Sequence, residues 1–597
     1  MDRKATIGFI LIGVVLVVWM WLQSPTPSSQ RLAGLDSLRQ KPVAAKEVPK
    51  PEPPPVPRDS IPASAEALFG KYFASCAVGV EKVIIVKTDL YTAEITTKGG
   101  LIRKWELTKY KSWDGHPVQL VDFDKGGDYS LLFTSGDGKL VDTRSLFFQA
   151  HESPWTTYTL EGDHSVTIEL RLPVSERCWL AKRMTFTNGK YSFSTQLQFV
   201  GMEQAISNYE YQIVWENGLR YAERNSVDES NFALAYAFSG GELIELDAGK
   251  NGDVAKRDIN GSTEWVATRN KYFAVAFMPE KGISQGAYLE GSRAQAPENG
   301  VKKTYTLGVK MPLKSSDETA AVTVYLGPLD FDLVKGYQRG LEQIMSLGSA
   351  WIIRPISEYV MIPLFQFLRM FIPNYGWVII VFSIIIKFAL QPLTRSSMKS
   401  MKRMQALTPL MNEIREKYKE DPNKQNQAIM NLYKEYGVNP AAGCLPMLLQ
   451  MPILFALYAV FRSSIELRQS AFMFWIRDLS IPDTIVRLPF TIPIFGITDV
   501  SGLALAMGVT MFLQQKMTVT DPRQKAMVWM MPLLMTLMFN SLPSGLNLYY
   551  FVFNLLAIAQ QVWFNRNAED VPLRKVDPKK STGGIMSRIA KDLPKLK

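Results

Sequence analysis

The sequence is poor in the residues that carry covalent and metal chemistry. Its three cysteines, Cys76, Cys178 and Cys444, lie far apart in 597 residues. That excludes a disulfide framework and a Cys-rich zinc site. Its three histidines are His116, His151 and His164, and the apolar second half holds none. No Gly-Lys pair is followed by Ser or Thr, and HExxH is missing. Walker-type phosphate binding and zincin chemistry are therefore excluded. Five long apolar runs after residue 370 contain no Asp or Glu. These absences predict a protein that is not an enzyme and needs no cofactor or metal.

The chain is too long for one compact domain. Its 67 basic and 56 acidic residues give a net charge of +11. A mean hydropathy near zero averages two unlike halves. Residues 5–22 form an apolar run behind Arg3 and Lys4. Eighteen residues cover most of a ~30 Å hydrocarbon core at ~1.5 Å each. The run is too long for a cleaved signal, so an uncleaved anchor over 1–24 with a cytoplasmic N-terminus is expected. Ten prolines between Pro25 and Pro62 make 25–79 an extended linker.

Residues 80–335 alternate with period two. Val166, Ile168, Leu170 and Leu172 alternate with Thr167, Glu169 and Arg171, and Tyr305, Leu307, Val309 and Met311 recur at the same spacing. Such alternation marks antiparallel sheets with one buried face, here a large β-sandwich. Its histidines are scattered, which argues for a packed, partner-binding module rather than an active site.

The apolar runs at 375–394, 442–461, 500–516, 525–540 and 545–564 each approach the length of a membrane crossing. With the anchor they make six spans. Residues 348–374, within a region 336–374, are apolar too, but Arg354, Glu358, Gln366 and Arg369 fall on one side of a helix, which predicts an interfacial amphipathic helix. The loop 395–441 and the tail 566–597 each carry nine basic residues. That charge bias places both, and the C-terminus, in the cytoplasm and residues 25–374 mostly outside it. Within 395–441, apolar residues at three- and four-residue spacing and the break at Asp421-Pro422-Asn423 predict a helical hairpin. Its Lys399, Lys402 and Arg403 are candidates for docking a nascent chain or a ribosome.

Lys387 stands inside the first of the five runs. A lysine at a helix centre costs roughly 2.5–3.5 kcal/mol on insertion scales, and no run supplies an acid to pair with it. The economical solution is a wet groove open to the cytoplasm. Ser383 lies one turn earlier on the same face. Gln450, Gln514 or Gln515, Tyr549 or Tyr550, and Asn554 are further polar residues able to line such a groove, although each also suits an ordinary hydrogen bond between membrane helices. Eighteen of the 26 methionines lie between Met361 and Met538, as suits a surface that accepts varied apolar partners. A secondary transporter would also use an intramembrane cation, but neither internal repeats nor paired ionisable groups are visible. A sugar-sensing receptor with the β-domain as reader is a second rival.

Several strings carry a family resemblance. They are 378–394 (VIIVFSIIIKFALQPLT), 439–446 (NPAAGCLP), 450–453 (QMPI), 464–468 (SIELR), 508–512 (GVTMF), and Pro543-Ser544-Gly545-Leu546 with Leu548-Tyr549-Tyr550. In this order the chain resembles the YidC family of membrane protein insertases. The anchor, the outer domain and the strings Trp265-Val266-Ala267 and Tyr272-Phe273-Ala274 resemble its Gram-negative form with a large periplasmic domain. The resemblance implies a membrane α-helical bundle of six spans, five of them forming a core with a hydrophilic groove, plus a large extracytoplasmic antiparallel β-supersandwich. That sandwich is related to sugar mutarotase folds without their activity. It also implies an inner-membrane insertase and chaperone acting on nascent membrane proteins, alone or with the Sec translocon, with ribosome contact through the basic tail and hairpin and no nucleic-acid sequence specificity. By position in the family, Ser383, Gln450, Leu454, Gln515 and Tyr550 correspond to groove or substrate-contacting places. The family usually carries Arg where this chain has Lys387, so the positive charge is kept but the planar five-donor fork is not.

Overall fold

The computed structural model describes residues 63–567, apart from 152–155, 283, 298–299, 316, 439–444, 493–495 and 519–524, together with residue 575. The expected N-terminal anchor, most of the linker, nearly all of the basic tail and the string Asn439–Cys444 lie outside the described residues. The chain divides into two units, 24–345 and 346–597, the second joined by 1–23.

The first unit is built from strands whose side chains alternate as the sequence requires. In Ser165–Pro173 the apolar residues Ile168, Leu170 and Leu172 are buried while Thr167 is exposed. Three sheets of nine, six and five strands result, with order set mainly by antiparallel neighbours. One pair departs from that rule, since Val83–Lys87 runs parallel to Thr157–Thr159. The sheets meet through large aromatic rings. Tyr129 and Trp215, at the six-stranded sheet, lie 5.6 and 6.2 Å from Phe277 on the nine-stranded one. Trp105 of the five-stranded sheet is 5.8 Å from Phe193. All are essentially inaccessible, so each contributes at the upper end of side-chain burial, about 2–3 kcal/mol.

Two segments differ from the reading of the sequence. Helix α1 (Ala63–Phe73) falls within the expected linker, and its Phe73 ring packs 5.0 Å from Phe133. Gly70 turns with φ of 71°, and a Cβ there would collide with the Asp137 carboxylate at 2.3 Å. Residues 336–345, expected to lead into the interfacial helix, instead close the β unit. The buried Arg269 guanidinium donates to Ile344 O at 2.8 Å, and Trp265 Nε1 donates to Arg339 O at 2.8 Å.

The second unit is helical. Its elements are α2 (Ile362–Phe371), α3 (Tyr375–Ala389), α4 (Gln391–Ala406), α5 (Thr408–Lys417), α6 (Pro422–Glu435), α7 (Leu445–Ser463), α8 (Gly502–Thr518), α9 (Lys525–Phe539) and α10 (Ser544–Asn567). Asn374 caps α3 by accepting from Gly376 N, and Asp421 caps α6 by accepting from Asn423 N and Lys424 N, which satisfies donors a helix start leaves open. The hairpin's first arm is two helices, because α4 ends at Leu407 and Pro409 opens α5. Leu407, Met411, Leu432 and Val438 form its small core.

Among the described residues, no helix is long and apolar enough to cross a membrane. The spans expected at 375–394 and 525–540 are shorter as helices, 15 residues each in α3 and α9, or ~22 Å at ~1.5 Å per residue. The run at 500–516 begins as a strand and turns helical at Gly502. The longest, α10, interrupts its apolar residues with Asn547, Asn554, Gln560 and Gln561.

The interfacial helix also differs in detail. A short helical turn and a π-helix (Ser357–Met361) precede α2. Arg354 and Glu358 pair at 2.5 Å with both side chains mostly covered. The exposed side is instead aromatic and apolar, with Trp351, Tyr359, Met370 and Phe371 each above 70 %.

One residue of the β unit breaks its own pattern. Lys182 follows Leu180 and precedes Met184 and Phe186 on the inward face of Trp179–Thr187, and it is fully buried. Its ammonium donates to Gly99 O, Gly100 O and Tyr129 O at 3.3, 3.1 and 2.8 Å. Burial lowers its pKa to about 7, only partly offset by Asp142, while Arg144 lowers it further. Between pH 7 and the ordinary lysine value the unfolded chain holds a proton that the folded one has released. Resistance of the β unit to denaturant should therefore rise with pH across that window, by up to about 1.4 kcal/mol per unit. Below pH 7 the penalty is fully present. Tryptophan-monitored unfolding of the detergent-solubilised protein at several pH values checks this, and Lys182→Met should flatten the slope.

Candidate substrate groove

The candidate residues stand on α3, α7, α8 and α10. Helix α10 packs against α3, α7 and α8, and α8 packs against α9. Phe365 of α2 stacks on Phe382 of α3 at 4.6 Å and meets Phe461 of α7 edge-on at 5.4 Å. That contact ties the start of the bundle to its centre.

Lys387 lies in the last turn of α3 and is half-buried. Its ammonium sits 4.5 Å from the centroid of the Phe553 ring on α10. Among the described residues no carboxylate forms an ion pair with it. The ring offers the negative face of its quadrupole, an attraction that strengthens as water is removed. Phe553 was not among the residues the sequence singled out. The available signal was its place one turn after Tyr549 on α10.

Ser383 is fully buried, and its hydroxyl donates to Ile379 O of its own helix at 2.7 Å. Tyr549 is fully buried between Phe382 at 6.1 Å and Phe553 at 5.7 Å. Its hydroxyl faces Gln450. Tyr550 turns the other way, edge-on to Phe539 of α9 at 5.2 Å. Of the two tyrosines, Tyr549 is thus the one in contact with the rings beside Lys387. Among the described residues, Asn554 is buried with Nδ2 unpartnered, and Gln515 on α8 has a buried, unpartnered Oε1. Leu454 is half-buried on α7. On the hairpin Lys399 and Arg403 are exposed, whereas Lys402 is half-buried and makes its own interaction. No cluster of His, Cys, Asp or Glu among the described residues fits a metal ion.

A second polar centre, also not foreseen, locks one end of the bundle. The buried Asp483 carboxylate accepts from Trp475 Nε1 at 2.8 Å, from Leu503 N at 2.7 Å and from Ser501 Oγ. Asn540, at the end of α9, accepts from Ser501 N at 2.9 Å and donates to Asp499 O at 2.6 Å. Ser544, which opens α10, donates through Oγ to Asp478 O at 2.7 Å. Side chains distant in sequence thereby hold the ends of α8, α9 and α10 together.

The sequence comparisons decide what kind of protein this is. A model described as the YidC periplasmic domain matches residues 83–358, and one described as 60Kd inner membrane protein matches residues 367–571. The Membrane protein insertase YidC of Chlorobium luteolum is 39 % identical over 98 % of this chain and 100 % of its own length. That of Chlorobaculum tepidum is 38 % identical over 96 % of this chain and 95 % of its own. The chain belongs to the YidC family of membrane protein insertases. It is therefore an inner-membrane insertase with a periplasmic domain, acting on membrane proteins rather than catalysing a covalent reaction. A crystal structure of an active YidC insertase covers 81 % of this chain and 93 % of its own, at 19 % identity and a TM-score of 0.35. A galactose mutarotase-like protein from Lactobacillus casei covers 41 % of this chain and 99 % of its own, at 11 % identity and a TM-score of 0.26. Scores this low carry no argument, and the kinship with mutarotase folds stays an expectation.

In this YidC chain the α8–α9 contact is close. A Cβ on Gly508 would lie 2.0 Å from Thr536 Oγ1, whose hydroxyl is already bonded to Pro532 O. Gly508→Val should lower thermal stability in detergent by about 1–3 kcal/mol, the usual range for overpacking. Adding Thr536→Ala should recover part of that loss, because the two positions share one contact.

Proposed function

We propose that insertion runs through a hydrated groove between α3, α7, α8 and α10, with Lys387 as its electrostatic anchor and Ser383, Gln450, Leu454, Gln515, Tyr549, Tyr550 and Asn554 in or beside it. The observation that carries this reading is the Lys387 ammonium on the Phe553 ring, without a paired carboxylate among the described residues. Buried polar atoms on the neighbouring helices support it. Among the described residues, Gln515 Oε1, Asn554 Nδ2 and Gln560 Nε2 have no protein partner, whereas more than about 90 % of buried backbone groups, and most buried side-chain polar atoms, are satisfied in proteins. Water between these helices satisfies them and solvates the ammonium.

In this reading the groove receives the polar tail of an incoming chain, and Lys387 attracts its acidic groups where screening is weak. The apolar segment that follows moves into lipid beside the bundle. Some 20 apolar residues at roughly −0.5 kcal/mol each supply about −10 kcal/mol, so the step needs no nucleotide. Five crossings by the helical unit fit its outer surface, where Trp377, Phe388, Val509, Trp529 and Leu533 are exposed. An apolar surface of this extent suits hydrocarbon rather than water. Helix α3 gains length because only Leu390, itself in right-handed helical conformation, separates it from α4. With the N-terminal anchor this gives six spans and both termini in the cytoplasm. Exposed Lys399 and Arg403, with Lys402 and the basic tail, face the ribosome, and the Sec translocon is the partner for larger substrates.

Reconstitution into proteoliposomes tests the anchor. For a substrate with an acidic tail, Lys387→Arg should retain insertion and Lys387→Glu should reduce it at least tenfold, the factor that about 1.4 kcal/mol gives. Equal insertion by Lys387→Glu would remove the electrostatic role. Crosslinking of stalled nascent chains from Ser383, Leu454 and Tyr550 maps the path independently.

A further inference from the structure

Between α7 and α8 the chain forms a β-hairpin, Thr484–Ile492 paired with Ile497–Ser501. Cross-strand partners share a face of the sheet. Val486 is opposite Val500, while Arg487 is opposite Asp499 and ion-pairs with it at 3.0 Å. One face is thus apolar there and the other is charged and neutralised. Residues 484–496 include a single charged side chain, Arg487. Phe490, Val486 and Ile485 are 61, 53 and 44 % exposed. A two-stranded hairpin is at best marginally stable in water, so one with this composition needs a covering medium.

Two observations favour lipid as that medium. First, the hairpin is tied to the helical unit without a spacer. Gly502 follows its last residue and opens α8, and Asp483, just before its first residue, accepts from Leu503 N at 2.7 Å. A Cβ on Gly502 would touch both Trp475 and Ile485 at about 3 Å, so hairpin and helix end pack directly. Secondly, aromatic side chains stand at the same place in the amphipathic manner of a bilayer boundary. The Trp475 ring is 48 % exposed while its N–H is bonded inward to Asp483, and Phe474 is 84 % exposed. A partner strand is the weaker occupant, because Pro489 removes a donor from Thr484–Ile492 and strand addition depends on such donors.

We propose that this hairpin lies in the boundary between headgroups and acyl chains on the outer side of the membrane, with Val486, Phe490 and Val500 toward the hydrocarbon. The proposal rests on the membrane orientation given above, and the test reads the two separately. In a full-length chain carrying Cys76→Ser, Cys178→Ser and Cys444→Ser, a nitroxide is placed through Phe490→Cys, Val486→Cys or Arg487→Cys, and the protein is reconstituted in phosphatidylcholine–phosphatidylglycerol nanodiscs. The ratio of oxygen to nickel-chelate accessibility should be higher at 486 and 490 than at 487. Equal, water-like ratios at all three overturn the proposal, as does dipolar broadening that reveals a second copy on this face. Should Phe490→Cys fail to fold, Val486→Cys reads the same surface. Labelling of Arg487→Cys in intact spheroplasts by a membrane-impermeant maleimide checks the orientation alone. Labelling only after lysis would overturn the orientation even where the nanodisc ratios report lipid contact.

Discussion

An ammonium resting on an aromatic ring, with no carboxylate among the described residues to neutralise it, constrains the helices around it. Lys387 and Phe553 come from helices far apart in sequence and meet at 4.5 Å. A cation on a ring gains about 0.5–2 kcal/mol, depending on how dry the site is. That is less than the several kcal/mol that removing an ion from water requires. In the proposed groove, solvent or a substrate supplies the remainder. There an acid on a neighbouring helix would neutralise the charge offered to an acidic tail, and the apolar runs carry no Asp or Glu.

The polar centre around Asp483 answers the opposite need. If the groove is wet and able to admit a chain, the helices around it need a fixed end. Hydrogen bonds from Asp483, Ser501, Asn540 and Ser544 join α8, α9, α10 and the preceding loop. The Gly508–Thr536 contact brings α8 and α9 together further along. Small residues at such crossings let backbones approach, and packing rather than the hydrophobic effect then holds helices in lipid.

Period-two alternation made the sandwich legible, because burial follows it residue by residue in Ser165–Pro173 and Ser192–Val200. Lys182 was not legible, since its three carbonyl partners come from other sheets and loops. The helical hairpin was readable from its three–four spacing, but the bend at Leu407 was not. Apolar runs located the helices of the core but not their ends. Helix α3 stops at Ala389 and α8 starts only after a strand, because hydropathy does not register where a cap, a strand or a polar face ends a helix. Lys387 stood out by charge alone. Its ring partner did not, because one more phenylalanine in an apolar helix carries no signal until the helices are placed side by side. The hairpin at 484–501 was missed for a related reason, as short strands broken by Pro489 lack both periods.

The contrast between the two buried lysines shows how context divides their roles. Lys182 is enclosed on every side, bonded to three carbonyl oxygens and lowered to about 7 by burial. Lys387 is half-buried at a helix end, with the Phe553 ring beneath its ammonium. Its hydrogen-bond capacity, up to three donors, is not taken up by a carboxylate among the described residues. The same side chain is thus structural where carbonyls saturate it, and at the junction of α3 and α10 it is left in the state that the proposed groove requires for engaging a passing acidic segment.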